Sequence, residues 1–234
     1  MNTREIAAQV VAKLRAFSNR PRQRATENYF PSRQENLGVY AADMRSVVRD
    51  YRKLLKDEPA RDIVKLALAI IGHNTLEGRQ AAYEIVAGHK AALNSLKPND
   101  VEALGRGIDN WASVDGFGCF ISGVCWRRGQ VKNADVHRWG RCKDPWWRRL
   151  ALVSTVPLNV PSRGGTGHSK RTLRVCGMLA NDGHVMVHKA LSWALRELTR
   201  WDKPGVKRFL DTHELPALVR REVTRKLTTG RKNG

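Results

Sequence analysis

The apolar residues of this 234-residue chain recur mainly at helical spacing. Along a helix, a side chain that faces the core recurs every three or four positions, whereas along a strand it alternates. Two stripes are the clearest: Ile6, Val10, Leu14 and Phe17 form the first, and Met44, Val47, Val48, Tyr51, Leu54 and Leu55 form the second. Each stripe predicts an amphipathic helix. No alternating run is long enough to predict a sheet.

More helical patterns follow, separated by short glycine, proline and asparagine breakers. The predicted helices span 59–71, 77–96, 100–108, 147–156, 183–200, 204–212 and 215–227. Short connections between such helices favour antiparallel neighbours. Pairs that recur at roughly 35 to 45 residues are typical of stacked helical repeats. We therefore predict an all-α fold, an α-solenoid with a concave cleft suited to a long polymer, with a compact bundle as the alternative.

One domain is expected to span residues 1–234, with special segments at three places. An N-terminal helix is expected over about 1–28, and a disordered tail over 228–234. Residues 157–171 are rich in glycine and cations, and we predict a flexible basic loop there. This loop lacks the GxxxxGK[ST] spacing and no strand precedes it, so we interpret it as a phosphate-contacting loop rather than a P-loop.

The charge of the chain points to a polyanionic partner. The 42 Lys and Arg against 22 Asp and Glu give a formal net charge of +20, and 41% apolar residues are enough for a core. The commonest partner for such a charge is a nucleic acid. A membrane surface fits less well, because the cations are spread along the whole chain. The longest apolar stretch, 63–71, is too short to span a bilayer, and no signal segment precedes it, so we expect a cytosolic, nucleoid-associated protein.

The four cysteines show no paired CxxC spacing. Cys119, Cys125 and Cys142 could join His137 in a zinc site, but the spacing is irregular. Buried, unreactive thiols are the preferred interpretation, and Cys176 is included in it.

The helix predicted over 183–200 carries cations on a face of its own. Its core stripe consists of Val187, Ala190, Leu191, Ala194 and Leu198, and a second stripe on another side consists of Lys189, Trp193, Arg196 and Arg200. Because successive residues of an α-helix are rotated by about 100 degrees, Trp193 lies among these cations. It is either an indole at a helix–helix boundary or an aromatic surface offered to a nucleic acid.

A second candidate cluster lies around Trp111 and Asp115, which are one helical turn apart and share a face. Gly116 and Gly118 follow, and would end the helix or let another backbone approach. Asp115 could be a capping or salt-bridge residue. Its ionised form, favoured among many cations, would also stabilise the oxocarbenium-like charge of a breaking N-glycosidic bond. Indole faces hold a cationic alkylated purine by cation–π attraction.

A third cluster begins at Asp144, a helix cap, and Pro145, a first-turn residue. Arg149 lies beside the apolar stripe of this helix, so its stem should be packed and its head fixed. A fixed arginine suits a phosphate clamp. A structural ion pair is the equal alternative.

Together these segments resemble the AlkD-type family of HEAT-like-repeat DNA alkylation repair proteins. The resemblance rests on Trp111-Ala-Ser-Val-Asp115, Trp147-Arg-Arg-Leu-Ala-Leu-Val-Ser, Lys189-Ala-Leu-Ser-Trp193-Ala-Leu-Arg-Glu-Leu, Phe209-Leu-Asp-Thr-His213, Arg220-Arg-Glu-Val, and on Tyr29 nine residues before Gly38-Val39. It covers residues 29–227, and its most specific part is the segment from Lys189. The Gly-, Cys- and Arg-rich segment 116–141 and the segment 157–171 depart from the family pattern.

The resemblance implies a HEAT-like α-solenoid that holds double-stranded DNA in its concave cleft. The family's catalytic aspartate falls on Asp115, its lesion-facing tryptophans on Trp111 and Trp193, its phosphate-contacting arginine on Arg149, and a cleft-lining aromatic on Tyr29. It implies monofunctional hydrolysis that releases N3- and N7-alkylated purines, such as 3-methyladenine and 7-methylguanine, without metal or cofactor. Because a solenoid of this size usually acts alone, we expect a monomer.

Further DNA contacts are expected from Arg148, Lys189 and Arg196. One alternative function is a noncatalytic binder of branched or damaged DNA on the same scaffold. Another is a bifunctional glycosylase and lyase, in which Lys189 forms a Schiff base. We prefer a phosphate contact for Lys189.

Overall fold

A computed structural model describes residues 1–29 and 31–231, which fold into α-helices joined by short connections. Within these ranges no β-strand is present, and one isolated bridge pairs Glu35 with Thr75. The helices are α1 (Thr3–Ala16), α2 (Arg20–Thr26), α3 (Ala41–Leu54), α4 (Ala60–Gly72), α5 (Leu76–Gly88), α6 (Lys90–Ser95), α7 (Pro98–Gly105), α8 (Trp111–Phe117), α9 (Gly123–Arg127), α10 (Asn133–Gly140), α11 (Pro145–Val153), α12 (Val156–Asn159), α13 (Ser169–Met178), α14 (Val185–Leu198), α15 (Lys203–Thr212) and α16 (Ala217–Thr229). A π-helical turn, Gly118–Ser122, and a 3₁₀ turn, Pro161–Arg163, complete the list. The all-α prediction is confirmed.

The expected single domain contains two compact units, the first ending at Ile121 and the second beginning at Ser122. In the first unit, α4 packs against α1 and α5, and α5 packs in turn against α3 and α8. The stripe predicted for α3 is buried at Met44, Val47, Val48, Tyr51 and Leu55. Leu54 of that stripe is exposed instead, at the last turn of the helix.

In the second unit, α14 is the central helix, because it packs against α11, α13 and α16. Its predicted core stripe is confirmed: Val187, Ala190, Leu191, Ala194 and Leu198 are all buried. Burying five such side chains removes apolar surface from water, which is the main favourable term in the folding of this helix.

Two predicted helices are each divided in two by a capping side chain. Within residues 1–28, the side chain of Asn19 accepts a hydrogen bond from the Arg22 amide at 2.9 Å and starts α2. Within residues 77–96, His89 has an extended backbone, and its Nδ1 accepts from the Ala92 amide at 3.1 Å to start α6. Caps of this kind satisfy the free amides of a new first turn, so one apolar pattern covers two helices.

The segment 157–171, expected to be one long loop, is helical over much of its length. Pro157 lies in α12, the 3₁₀ turn follows, and α13 begins at Ser169. The irregular backbone between them is tied down by two bonds: the Gly167 amide donates to Leu158 O at 3.1 Å, and the His168 amide donates to Asn159 Oδ1 at 3.0 Å. Gly164 and Gly167 take positive φ angles there, so these glycines serve a tight turn.

The disordered tail predicted over 228–234 is wrong at its start, because α16 continues to Thr229. Residues 232–234 lie outside the described residues.

Candidate functional site

Helix α8 carries two of the predicted site residues. Its cap, Asn110, is fully buried, and its side chain accepts from the Ser113 amide at 2.9 Å. This cap starts the helix at Trp111, so Trp111 and Asp115 are one turn apart on the same face, as the spacing predicts. Both side chains are half-buried. An indole and a carboxylate are therefore presented side by side.

Tyr29 lies against Trp111. The two ring centroids are 5.1 Å apart with an interplanar angle of 82°, an edge-to-face contact. The indole Nε1 of Trp111 donates a hydrogen bond to the Tyr29 carbonyl oxygen at 2.9 Å. Tyr29 is 61% exposed, so this pair forms an aromatic corner that is open on the side of the phenol.

A polar network that the sequence reasoning missed holds the segment after Tyr29 against the start of α8. The carboxylate of Asp109 accepts from Ser32 Oγ at 2.5 Å, from the Arg33 amide at 2.7 Å and from Gln34 Nε2 at 3.0 Å. Burial raises the pKa of Asp109, but these bonds and one from Asn110 outweigh burial and hold the pKa below its ordinary value. Asp109 thus anchors the chain that carries Tyr29.

A buried arginine completes this network. Arg79, only 3% exposed, donates from Nε to Gln34 Oε1 at 3.1 Å and from Nη1 to Tyr83 Oη at 3.1 Å and Arg106 O at 3.0 Å. A buried guanidinium needs such partners to offset its lost hydration. The only sequence signal was an arginine within the apolar pattern of α5.

The sequence allowed the helix to end at Gly116 and Gly118, but the helical backbone continues through both residues. It passes into the π-helical turn that begins at Gly118. Gly116 instead makes room for a side chain: a Cβ at this position would lie 2.1 Å from Gln80 Oε1. A side chain at position 116 would require the flexible carboxamide of Gln80 on α5 to move, and π-helical turns of this kind are frequent at functional sites.

In the second unit, the Arg149 side chain is buried and its guanidinium is hydrogen-bonded, as predicted for a packed stem and a fixed head. Asp144 caps α11 by accepting from the Trp146 amide at 2.8 Å. Arg149 is only 5% exposed, and its Nη1 donates to the Met186 carbonyl oxygen. The guanidinium thus links α11 to the first turn of α14.

Arg148 is engaged within the protein, which differs from the available cation that the sequence suggests. Its Nε lies 2.6 Å from Asp182 Oδ2, and its Nη1 donates to Lys143 O at 2.7 Å. Burial raises the pKa of Asp182, but Arg148 and the amide of His184 outweigh it and lower that pKa. The pair ties α11 to the segment that precedes α14.

On α14, the face expected to be cationic is divided. Lys189 is exposed, and Trp193, one turn later, is half-buried with its Nε1 donating to Glu197 Oε1 at 3.0 Å. The prediction that Arg196 is exposed is wrong. This side chain is only 8% exposed, and its Nε donates to Ser192 O at 3.2 Å and lies 3.7 Å from the Glu222 carboxylate of α16. The reason is that α16 packs over this side of α14.

The positive charge of the chain is concentrated after residue 121. That part holds 24 Lys and Arg against 8 Asp and Glu, whereas residues 1–121 hold 18 against 14. The second part therefore carries +16 of the net +20. A phosphate backbone would offset such a charge.

Over residues 1–29 and 31–231, no group of three or more His, Cys, Asp or Glu is placed to hold a metal ion. Cys119, Cys125, His137 and Cys142 therefore do not form the zinc site considered from the sequence. Burial raises the pKa of the Cys125 thiol to about 12, and it also raises that of Cys176. Such thiols are poor nucleophiles. In the described part of the chain, no helix has both the length and the apolar character needed to cross a membrane.

Comparison with known proteins bears on most of the chain. A solved structure titled "Predicted DNA alkylation repair enzyme from Enterococcus faecalis" has the same fold, with a TM-score of 0.72 at 15% sequence identity. The likeness covers 91% of this chain and 97% of that one. No curated protein sequence matches the chain. A sequence model of the family described as DNA alkylation repair enzyme matches residues 10–227. The chain therefore belongs to the DNA alkylation repair enzyme family.

Proposed function

We propose that this protein is a monofunctional DNA glycosylase that hydrolyses the N-glycosidic bond of cationic N3- and N7-alkylated purines in duplex DNA. Family membership gives the chain a role in DNA repair. The specific reaction is inferred from the chemistry of the site residues. An alkylated purine is already an activated leaving group, so the protein needs to bind a cation and stabilise its positive charge as this charge moves from the base to the sugar.

The aromatic corner formed by Tyr29 and Trp111, one helical turn from Asp115, is the observation that carries the proposal. Trp111 and Tyr29 offer aromatic surfaces, and cation–π attraction to each contributes about 0.5 to 2 kcal/mol. Asp115, one turn from Trp111, supplies the carboxylate that stabilises the oxocarbenium-like sugar and orients the attacking water. The aromatic ring and the carboxylate are thus on one helix face, which favours a single positively charged substrate.

Residues of the second unit are proposed to contact DNA. Trp193 offers an indole, fixed by its bond to Glu197. Arg149 contributes a positioned guanidinium, and Lys189 an exposed ammonium for phosphate. Arg148 and Arg196 are left out of the proposed DNA contacts, because their guanidiniums face Asp182 and Glu222. The proposal is for a monomer, with duplex DNA as its partner.

Two other functions are tested by the same assays. A noncatalytic binder of branched or damaged DNA would use the same cationic second unit and release no base. A bifunctional glycosylase and lyase would need Lys189 as a nucleophile. An exposed lysine lacks the desolvation that activates such amines, so the structure favours a phosphate contact, and borohydride trapping of a covalent DNA adduct distinguishes the two.

The experiment that tests the proposal is release of free bases from methylated duplex DNA, separated by chromatography. The wild type should release 3-methyladenine or 7-methylguanine. Asp115→Asn should lose most of this activity while it keeps its affinity for DNA, because the substitution removes a charge and little volume. Full activity of Asp115→Asn would refute the assignment of Asp115.

A further inference from the structure

A cavity of about 490 Å³ lies in the first unit where α3, α5 and α6 meet. Its polar lining comes from Arg52, Lys56, His89, Lys90 and Asn94. The described lining includes three cations and no carboxylate, but one of these cations, Lys56, pairs with the neighbouring Asp57 at 3.6 Å. Leu55, Ile63 and Ile85 form the apolar part. We call this space the His89 cavity. Its composition suits an anion.

His89, which lines this cavity, has a buried ring nitrogen that lacks a hydrogen-bond partner among the described residues. His89 Nδ1 accepts from the Ala92 amide at 3.1 Å, so the ring proton of a neutral imidazole belongs on Nε2. Nε2 is buried and has no hydrogen-bond partner among the described residues. Buried polar atoms are nearly always hydrogen-bonded, and a bound ion or water is one recognised explanation for an exception. An acceptor atom of a ligand would satisfy Nε2.

A close approach at Gly88 places a cation beside His89. A Cβ on Gly88 would lie 1.9 Å from Arg52 Nε and 2.3 Å from its Cζ. The guanidinium of Arg52 therefore lies directly against the backbone at the end of α5. Any larger residue at position 88 would displace it. A guanidinium is a specific donor for phosphate oxygens.

The His89 cavity is the end of a longer groove along α3. Its residues Arg52, Lys56 and Gly88 also line the neighbouring hollow. That hollow shares Arg45 and Glu84 with a cavity of about 500 Å³ beside Trp111. The cations of α3 along this path are Arg45, Arg49, Arg52 and Lys53. One groove of the first unit thus connects Trp111 to His89.

We propose that the His89 cavity binds a phosphate group, with Nε2 of His89 and the guanidinium of Arg52 as its donors and with Lys56 and Lys90 supplying further charge. The groove makes a phosphate of the DNA strand the natural source, and this part rests on the proposed function. A free phosphate or a nucleotide presents the same chemistry. The binding site itself is independent of base release.

The test is a titration of the full chain, with its histidine side chains labelled with ¹⁵N, with inorganic phosphate. We expect a saturable shift of the His89 Nε2–H resonance. His89→Asn is the informative variant, because an asparagine keeps the helix cap and removes the Nε2 donor. Measured by calorimetry, this variant and Arg52→Gln should each weaken phosphate binding at least about tenfold. Lys65→Gln, which removes one exposed cation of α4, should leave it unchanged.

The source of the phosphate is found by competition with unmodified duplex DNA. Displacement of inorganic phosphate by duplex DNA identifies the strand as the ligand. Binding of phosphate or a deoxynucleoside monophosphate that DNA does not displace identifies a free ligand. If the His89 resonance does not saturate with phosphate, or if His89→Asn and Arg52→Gln bind phosphate as the wild type does, the site is overturned, whatever the result of the base-release assay.

Discussion

The indole Nε1 of Trp111 donates a hydrogen bond to the Tyr29 carbonyl oxygen at 2.9 Å, and the two rings meet edge to face at 5.1 Å. The two residues are 82 positions apart. Their contact fixes the plane of the indole that is proposed to face the lesion. A ring held in one orientation loses less entropy when it binds a substrate.

Replacing Trp111 by phenylalanine should separate orientation from aromatic surface. Trp111→Phe keeps a ring and loses the bond to Tyr29, so we expect the free energy of unfolding to fall by about 1 kcal/mol. Base release should slow by about tenfold or more, because the remaining ring is no longer held. Single-turnover excision and urea unfolding measure the two effects. Tyr29→Phe is the matched control, since the carbonyl acceptor remains. Excision by Trp111→Phe at the wild-type rate would contradict a role for the fixed indole.

The buried cation of α14 should act on stability. Arg196→Ala removes the partner of Glu222 and the packing of a long stem, and should lower the free energy of unfolding by about 2 to 3 kcal/mol. Arg200→Ala, which removes an exposed cation just beyond the same helix, should change it by less than about 0.5 kcal/mol. Urea denaturation compares the two. Equal stability of the two variants would mean that the Glu222 contact contributes nothing.

Acid should destabilise both units through two carboxylates. The pKa values of Asp109 and Asp182 are lowered in the folded protein. Each therefore contributes stability that is present above the unfolded-state pKa of about 4 and is lost as the pH falls through the lower folded pKa. When the free energy of unfolding is measured between pH 7 and pH 2, it should decrease as the pH falls below about 4. Asp109→Asn and Asp182→Asn should each reduce this dependence, and an unchanged pH profile in both would contradict the two networks.

The salt dependence of DNA binding should distinguish exposed from engaged cations. Each phosphate contact contributes about 0.9 to the slope of log K against log salt. Lys189→Gln should therefore reduce the slope by about one. Arg148→Gln should leave the slope nearly unchanged and lower stability instead, because Arg148 is paired with Asp182. Fluorescence anisotropy with unmodified duplex DNA provides the measurement, and the reverse pattern would return Arg148 to the DNA contacts.

Helical periodicity predicted the fold class and the long helices with clear apolar stripes, such as α3 and α14. It missed α10 and α13, because short helices with mostly polar or small residues leave too few apolar positions for a period to be recognised. It also merged helices at Asn19 and His89, where a single side chain starts a new first turn.

The spacing of Trp111 and Asp115 could be predicted because it is local to one helix. The engaged states of Arg148 and Arg196 could not, because their partners come from distant parts of the sequence. Asp182 lies 34 residues from Arg148, and no pattern within one helix specifies such a pair. The anchoring of Tyr29 by Asp109 escaped notice for the same reason.

The central claim is tested most directly by base release from methylated duplex DNA with wild type and Asp115→Asn in parallel. If the protein is a glycosylase, the wild type releases 3-methyladenine or 7-methylguanine and Asp115→Asn does not, while the two proteins bind DNA with similar affinity. No release by the wild type, with DNA binding retained, would contradict the glycosylase and support a noncatalytic binder.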